Sequence, residues 1–97
     1  MMKPKPGQYA HIQDTVESID RYVNDGIPPG DFLFAVLSNN LKESFKRADS
    51  NNCRYMADIV RYLYNYVPSA CWGSPESVKT WLDFKRQQRE MERVSKR

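Results

Sequence analysis

The chain has few of the residues from which simple chemical sites are built. Its 97 residues include one histidine, His11, and two cysteines, Cys53 and Cys71. A zinc site takes three or four ligands, and these three scattered residues form no recognisable set. A nucleophilic cysteine needs a base beside it, and His11 is the only imidazole available. There is no glycine-rich phosphate loop, no nucleophile elbow and no paired-carboxylate metal pattern. The expectation is therefore no metal, no cofactor and no enzymatic activity. Long apolar runs are also missing. The longest, Phe32-Leu33-Phe34-Ala35-Val36-Leu37, has six residues, against roughly 18 for a membrane span. The start, Met1-Met2-Lys3-Pro4-Lys5-Pro6-Gly7, is charged with no apolar segment behind it, so it is not read as a signal peptide. The chain is expected to stay in the cytoplasm.

A disulfide is also disfavoured. A helix opening at Cys53 and running to Val67 rises about 21 Å. The four steps to Cys71 return at most about 14 Å. The remaining gap of about 7 Å lies just beyond disulfide reach. Two free thiols are expected.

Present instead is an ordinary soluble composition, 40% hydrophobic and 28% charged in 11.4 kDa, which fits one domain. The net charge of +3 is unevenly placed. Residues 85–97 carry six basic and two acidic groups, and residues 1–84 carry nine and ten. A near-neutral body thus bears a basic C-terminal extension.

The chain reads as all-α: the apolar run 32–37 alone does not separate a buried helix from a buried strand, and it is read as helix because its neighbours are helical and no second strand offers a partner. Residues 1–7 are expected to be frayed or extended. Tyr9, Ile12, Val16, Ile19 and Val23 mark a helix over 8–25, unless the Asp14/Glu17 capping box delays its regular start to Asp14. Gly26 ends it. Ile27-Pro28-Pro29-Gly30 is a rigid connector rather than a binding loop. Asp31 caps a helix through the apolar run, and Asn40 caps another with Glu43 at the reciprocal position. The two are alternatively one jointed helix, since Leu33, Leu37, Leu41 and Phe45 recur every four residues. Met56, Ile59, Val60, Leu63 and Val67 define a central helix over 51–67, stopped by Pro68. Ser74-Pro75-Glu76 is a strong helix start, with Val78, Trp81 and Leu82 on the buried face. The expected core is Ile12, Val16, Ile19, Val23, Phe32, Leu33, Val36, Leu37, Leu41, Phe45, Met56, Ile59, Val60, Leu63, Val67, Val78, Trp81 and Leu82. The expected architecture is a compact bundle of four or five helices, residues 8–84, with residues 85–97 projecting. Arg86–Glu90 and Glu92–Lys96 are spaced to support that projection as i,i+4 pairs. A truncation from Lys85 onward is expected to leave the fold intact.

The stretch from Ile27 to Leu82 carries a resemblance. It lies in Ile27-Pro28-Pro29-Gly30, Phe32-Leu33, Ala35-Val36-Leu37, Asn40-Leu41 and Arg47-Ala48-Asp49. It continues through Asp58-Ile59-Val60, Tyr62, Tyr64-Asn65, Cys71-Trp72-Gly73-Ser74-Pro75-Glu76 and Trp81-Leu82. This resembles a group of small uncharacterised proteins of tailed bacteriophages. The resemblance implies a phage gene product acting inside an infected bacterium and brings no catalytic role. Such accessory proteins often bind and disable a host or anti-phage factor.

Three surfaces are candidates for that role. Tyr55, Tyr62 and Tyr66 fall along one side of the central helix, with Arg61 on another face, either as a partner-binding surface with the arginine or as rings closing the core edge with wet hydroxyls. Trp72 is either an interface anchor or a lid on the bundle. In the extension, Lys85, Arg86, Arg89, Arg93, Lys96 and Arg97 suit a phosphate backbone. The leading expectation is a non-enzymatic interaction protein that binds and inhibits a host or defence protein. The alternatives are a nucleic-acid-binding accessory protein using the extension and a sponge that holds a nucleotide signal between aromatic rings. Self-association is open.

Overall fold

The computed structural model describes residues 4–95. Among these residues there is no strand, and six α-helices form one bundle. They are α1 (Gln13–Asp25), α2 (Asp31–Leu37), α3 (Leu41–Arg47), α4 (Ser50–Arg54), α5 (Met56–Tyr66) and α6 (Pro75–Ser95). Short 3-10 turns at Ala10–Ile12 and Ser69–Cys71 precede α1 and α6. No described helix is long and apolar enough to cross a membrane.

The core forms where α1, α2, α5 and the start of α6 meet. Ile12, Val16, Ile19, Leu33, Val36, Leu37, Met56, Ile59, Leu63, Val67 and Val78 are buried in it, as their helical spacing predicts. Val23, Phe32, Trp81 and Leu82 pack against it partly buried. Three expected members are outside: Leu41 is 70% exposed, Phe45 46% and Val60 39%. On α3 the buried residue is Ser44, whose hydroxyl bonds back to the Asn40 carbonyl, and Ala48 packs beside it. A small-residue face against α2 leaves the larger Leu41 and Phe45 on the flank. Four buried hydrophobic residues were not in the expected core: Tyr22, Ala35, Tyr62 and Cys71.

The joints follow backbone chemistry. Residues 5–8 are not extended: the Gln8 N–H donates to the Lys5 carbonyl at 3.0 Å, with Pro6 second and left-handed Gly7 third in the turn. Residues 1–3 of the segment expected to fray lie outside the described residues. The Asp14/Glu17 capping box does not form, because α1 opens one residue earlier at Gln13, with uncapped Ile12 before it. Asn39, at φ 60, separates α2 from α3, and the Asn40 side chain accepts the Glu43 N–H at 3.2 Å. These are two helices. The central helix also divides. Asp49 caps α4 through the Asn52 N–H at 2.7 Å, and Tyr55 breaks the run before α5. None of α4's residues is buried, so no packing aligns it with α5. The Gly73 N–H donates to the Leu37 carbonyl at 2.7 Å. Ser74 then caps α6 by accepting the Ser77 N–H at 3.1 Å.

The junction of α1 with α6 changes the reading of the basic extension. Gly26 takes φ 67, and Lys85 crosses it so closely that an added Cβ would collide with the Lys85 Cβ. Trp81 Nε1 donates to the Tyr22 and Val23 carbonyls at 3.3 and 3.2 Å. Arg89 donates to the Asp25 carbonyl at 3.0 Å. A helix C-terminus leaves carbonyls without partners, and α6 satisfies these. Lys85 and Arg89 thus contact the body through the end of α1 and Trp81, while residues 86–93 of α6 are exposed.

Candidate interaction surface

The 3-10 turn before α1 lies along α5 and places two rings on it. Tyr9 meets Tyr62 edge-on at 5.3 Å between centroids and Tyr66 at 6.0 Å, and Tyr62 and Tyr66 lie 5.5 Å apart. One turn away, His11 meets Tyr55 at 4.8 Å. Its Nε2 is 2.9 Å from the Asp58 carboxylate, which also faces Arg61 at 3.6 Å. Arg54 lies over the Tyr55 ring at 5.5 Å.

Beside the three tyrosines runs a groove of about 640 Å³. Its floor is Tyr9, Tyr62, Tyr66 and Val67. One wall is the α1 face of Gln13, Val16, Asp20, Val23 and Asn24. The opposite wall is Pro4-Lys5-Pro6-Gly7. The Tyr62 hydroxyl donates to Asp20 at 2.6 Å. Burial first, and then this bond to a carboxylate, raise the Tyr62 phenol well above the usual tyrosine range. Tyr62 stays a neutral donor at ordinary pH.

The expected tyrosine surface is thus rearranged. Tyr62 is only 5% exposed and forms the floor rather than a free face. Tyr66 is half-buried on the groove. Tyr55 sits apart on His11, and Arg61 is exposed on the ion pair with Asp58. Tyr9 and His11 were read only as a helix-face residue and a lone histidine. Their approach to α5 is a tertiary event with no local sequence signal. The rings of Tyr9, Tyr62 and Tyr66 pack on one another, so no pair of parallel faces holds a base between them.

Trp72 is half-buried and packs against the core as a lid. Cys71 beneath it is fully buried, its carbonyl accepting the Tyr22 hydroxyl at 2.7 Å. Burial pushes the Cys71 thiol up to about 11, with Lys85 opposing weakly, so it is not a nucleophile at neutral pH. Cys53 is exposed, and the two are not bridged.

The basic residues of α6 are largely engaged. Lys85 lies over Trp81 at 5.3 Å, and Arg89 caps α1. Arg86 pairs with Asp83 at 3.0 Å rather than with Glu90, because the i,i+3 carboxylate is nearer. Arg93 is exposed. Lys96 and Arg97, and with Lys96 the expected Glu92 pair, lie outside the described residues. Among the described residues no group of three or more His, Cys, Asp or Glu side chains is placed to hold a metal ion. No family model, no curated protein and no solved structure matches the chain.

Proposed function

We propose that this chain is a non-enzymatic accessory protein of a tailed bacteriophage that binds a host or anti-phage defence protein and inhibits it. The observation that supports a binding role best is the groove along Tyr9, Tyr62 and Tyr66, open at the surface and holding a partly exposed carboxylate at Asp20. Aromatic rings with one apolar face and one polar tip are the commonest anchors of protein interfaces. The resemblance supplies the phage setting. The groove supplies the contact surface.

The nucleic-acid alternative draws on fewer groups, since Lys85, Arg86 and Arg89 already have partners within the fold. Purifying the tagged full-length chain from infected bacteria and measuring the mass of the native particle tests the proposal. A stable complex with one bacterial protein is expected. A free chain, or a particle containing nucleic acid alone, would overturn it.

A further inference from the structure

We infer that the groove takes an extended, proline-rich segment of the partner that carries a basic residue, with that residue's cation against Asp20. The inference rests on the reading of the groove as the partner-binding face and names what the groove accepts.

The first argument is the chemistry of the floor. A row of tyrosines beside a helix face is the surface on which proline-rich segments dock elsewhere. Their rings pack on aromatic faces, and their extended helix is ordered before binding, so little entropy is lost. The volume, about 640 Å³, falls within the range of roughly 300–1,000 Å³ typical of ligand clefts. The chain's own Pro4-Lys5-Pro6 segment lies against this groove and forms one wall. That wall is held by the turn at Gly7 and by the Lys5 N–H donating to Gln8 Oε1 at 3.1 Å.

Charge makes the second argument. Among the described lining residues Asp20 is the only acidic one and Lys5 the only basic one. Tyr62 donates to one carboxylate oxygen of Asp20, and no ion pair among the described residues reaches the other. An ammonium or guanidinium group there completes the carboxylate's shell and lies beside tyrosine faces that attract cations. An acidic peptide or a phosphate backbone meets the wrong charge at Asp20.

The test uses the full-length chain and three synthetic peptides. One has the sequence Pro-Pro-Arg-Pro-Pro, the second has Glu for Arg, and the third has Ala for every Pro. Binding is followed by calorimetry and by tyrosine-ring NMR signals. The arginine peptide is expected to saturate below about 1 mM, with tyrosine signals shifting. The other two are expected to bind about fivefold more weakly or worse. Asp20→Asn keeps an acceptor for Tyr62 and removes only the charge, and it is expected to lose about fivefold for the arginine peptide alone. Equal affinity for the arginine and glutamate peptides, no saturation, or an unchanged Asp20→Asn variant would overturn the inference. So would self-association abolished by deleting residues 1–7, which assigns the groove to a second copy. If the peptides fail while Tyr66→Ala still abolishes the partner complex, only the peptide class is wrong. If Tyr66→Ala leaves the complex intact, the groove reading itself falls.

Discussion

Two residues on α1, Asp20 and Tyr22, face two different kinds of surroundings. Around Tyr22, at the junction with α6, the phenol and three of the last α1 carbonyls are paired. The phenol bonds the Cys71 carbonyl, and Trp81 and Arg89 take the last carbonyls of α1. Lys85 seals Gly26. Around Asp20, in the tyrosine groove, the matching is incomplete. Tyr62 fills one carboxylate oxygen, and the cleft stays open. The difference teaches how to separate two uses of the same residue types. A buried tyrosine whose neighbours are paired in this way is part of the scaffold. One whose carboxylate partner stays partly exposed, as Asp20 does, is where the proposed ligand would sit.

The junction is the place to break that comparison most severely. Tyr22→Ala empties a fully buried site and is expected to cost about 3–5 kcal/mol in chemical denaturation. Tyr22→Phe keeps the ring but strands the Cys71 carbonyl, at about 1–3 kcal/mol. Gly26→Ala forces a side chain into a left-handed position against Lys85 and should also cost about 1–3 kcal/mol. Truncation after Phe84 removes the Lys85 contact with Trp81 and the Arg89 cap, a loss of about 1–2 kcal/mol in unfolding midpoint experiments. Truncation after Arg89 keeps both contacts and should cost less than truncation after Phe84. Equal losses from the two truncations would contradict a stabilising role for the Lys85 and Arg89 contacts.

The two thiols sharpen the same contrast at lower cost to the fold. A thiol reagent at neutral pH should label Cys53 quickly and Cys71 only on unfolding. Alkali should act on the junction as well. Cys71 is raised from near 9 to about 11 in the folded chain, so the native state holds the proton more tightly. Stability is then complete below the unfolded value and falls as pH rises from about 9 toward about 11. Tyr22, raised by burial, extends the loss to higher pH. A melting temperature constant to pH 11 would contradict this.

Much of the fold was legible because it rests on local rules. The spacing of Val16, Ile19, Ile59 and Leu63 dictates which faces are buried, and Gly26, Asn40, Ser74 and Pro75 mark the helix ends. The errors came where tertiary packing decides. Leu41 and Phe45 have helical spacing, yet α3 meets α2 through Ser44 and Ala48. Tyr22 and Tyr62 look amphipathic in sequence, and only the fold supplies the acceptors that let them be buried. The site was half legible. Tyr62 and Tyr66 stood out by spacing, but Tyr9 and Asp20 join them only through the packing of α1 against α5. In the basic extension residues 86–93 are exposed, and the contacts of Lys85 and Arg89 with the end of α1 have no local sequence signal.

In the proposed reading the groove binds the partner and the junction only supports it. Recovery of the bacterial partner by the full-length chain, by Tyr66→Ala and by Gly26→Ala tests it directly, with each variant's helix content and melting temperature recorded alongside. Tyr66→Ala should keep its helical spectrum and lose the partner. Gly26→Ala should melt earlier and keep the partner below its melting temperature. A folded Tyr66→Ala chain that still recovers the partner in full would contradict the account.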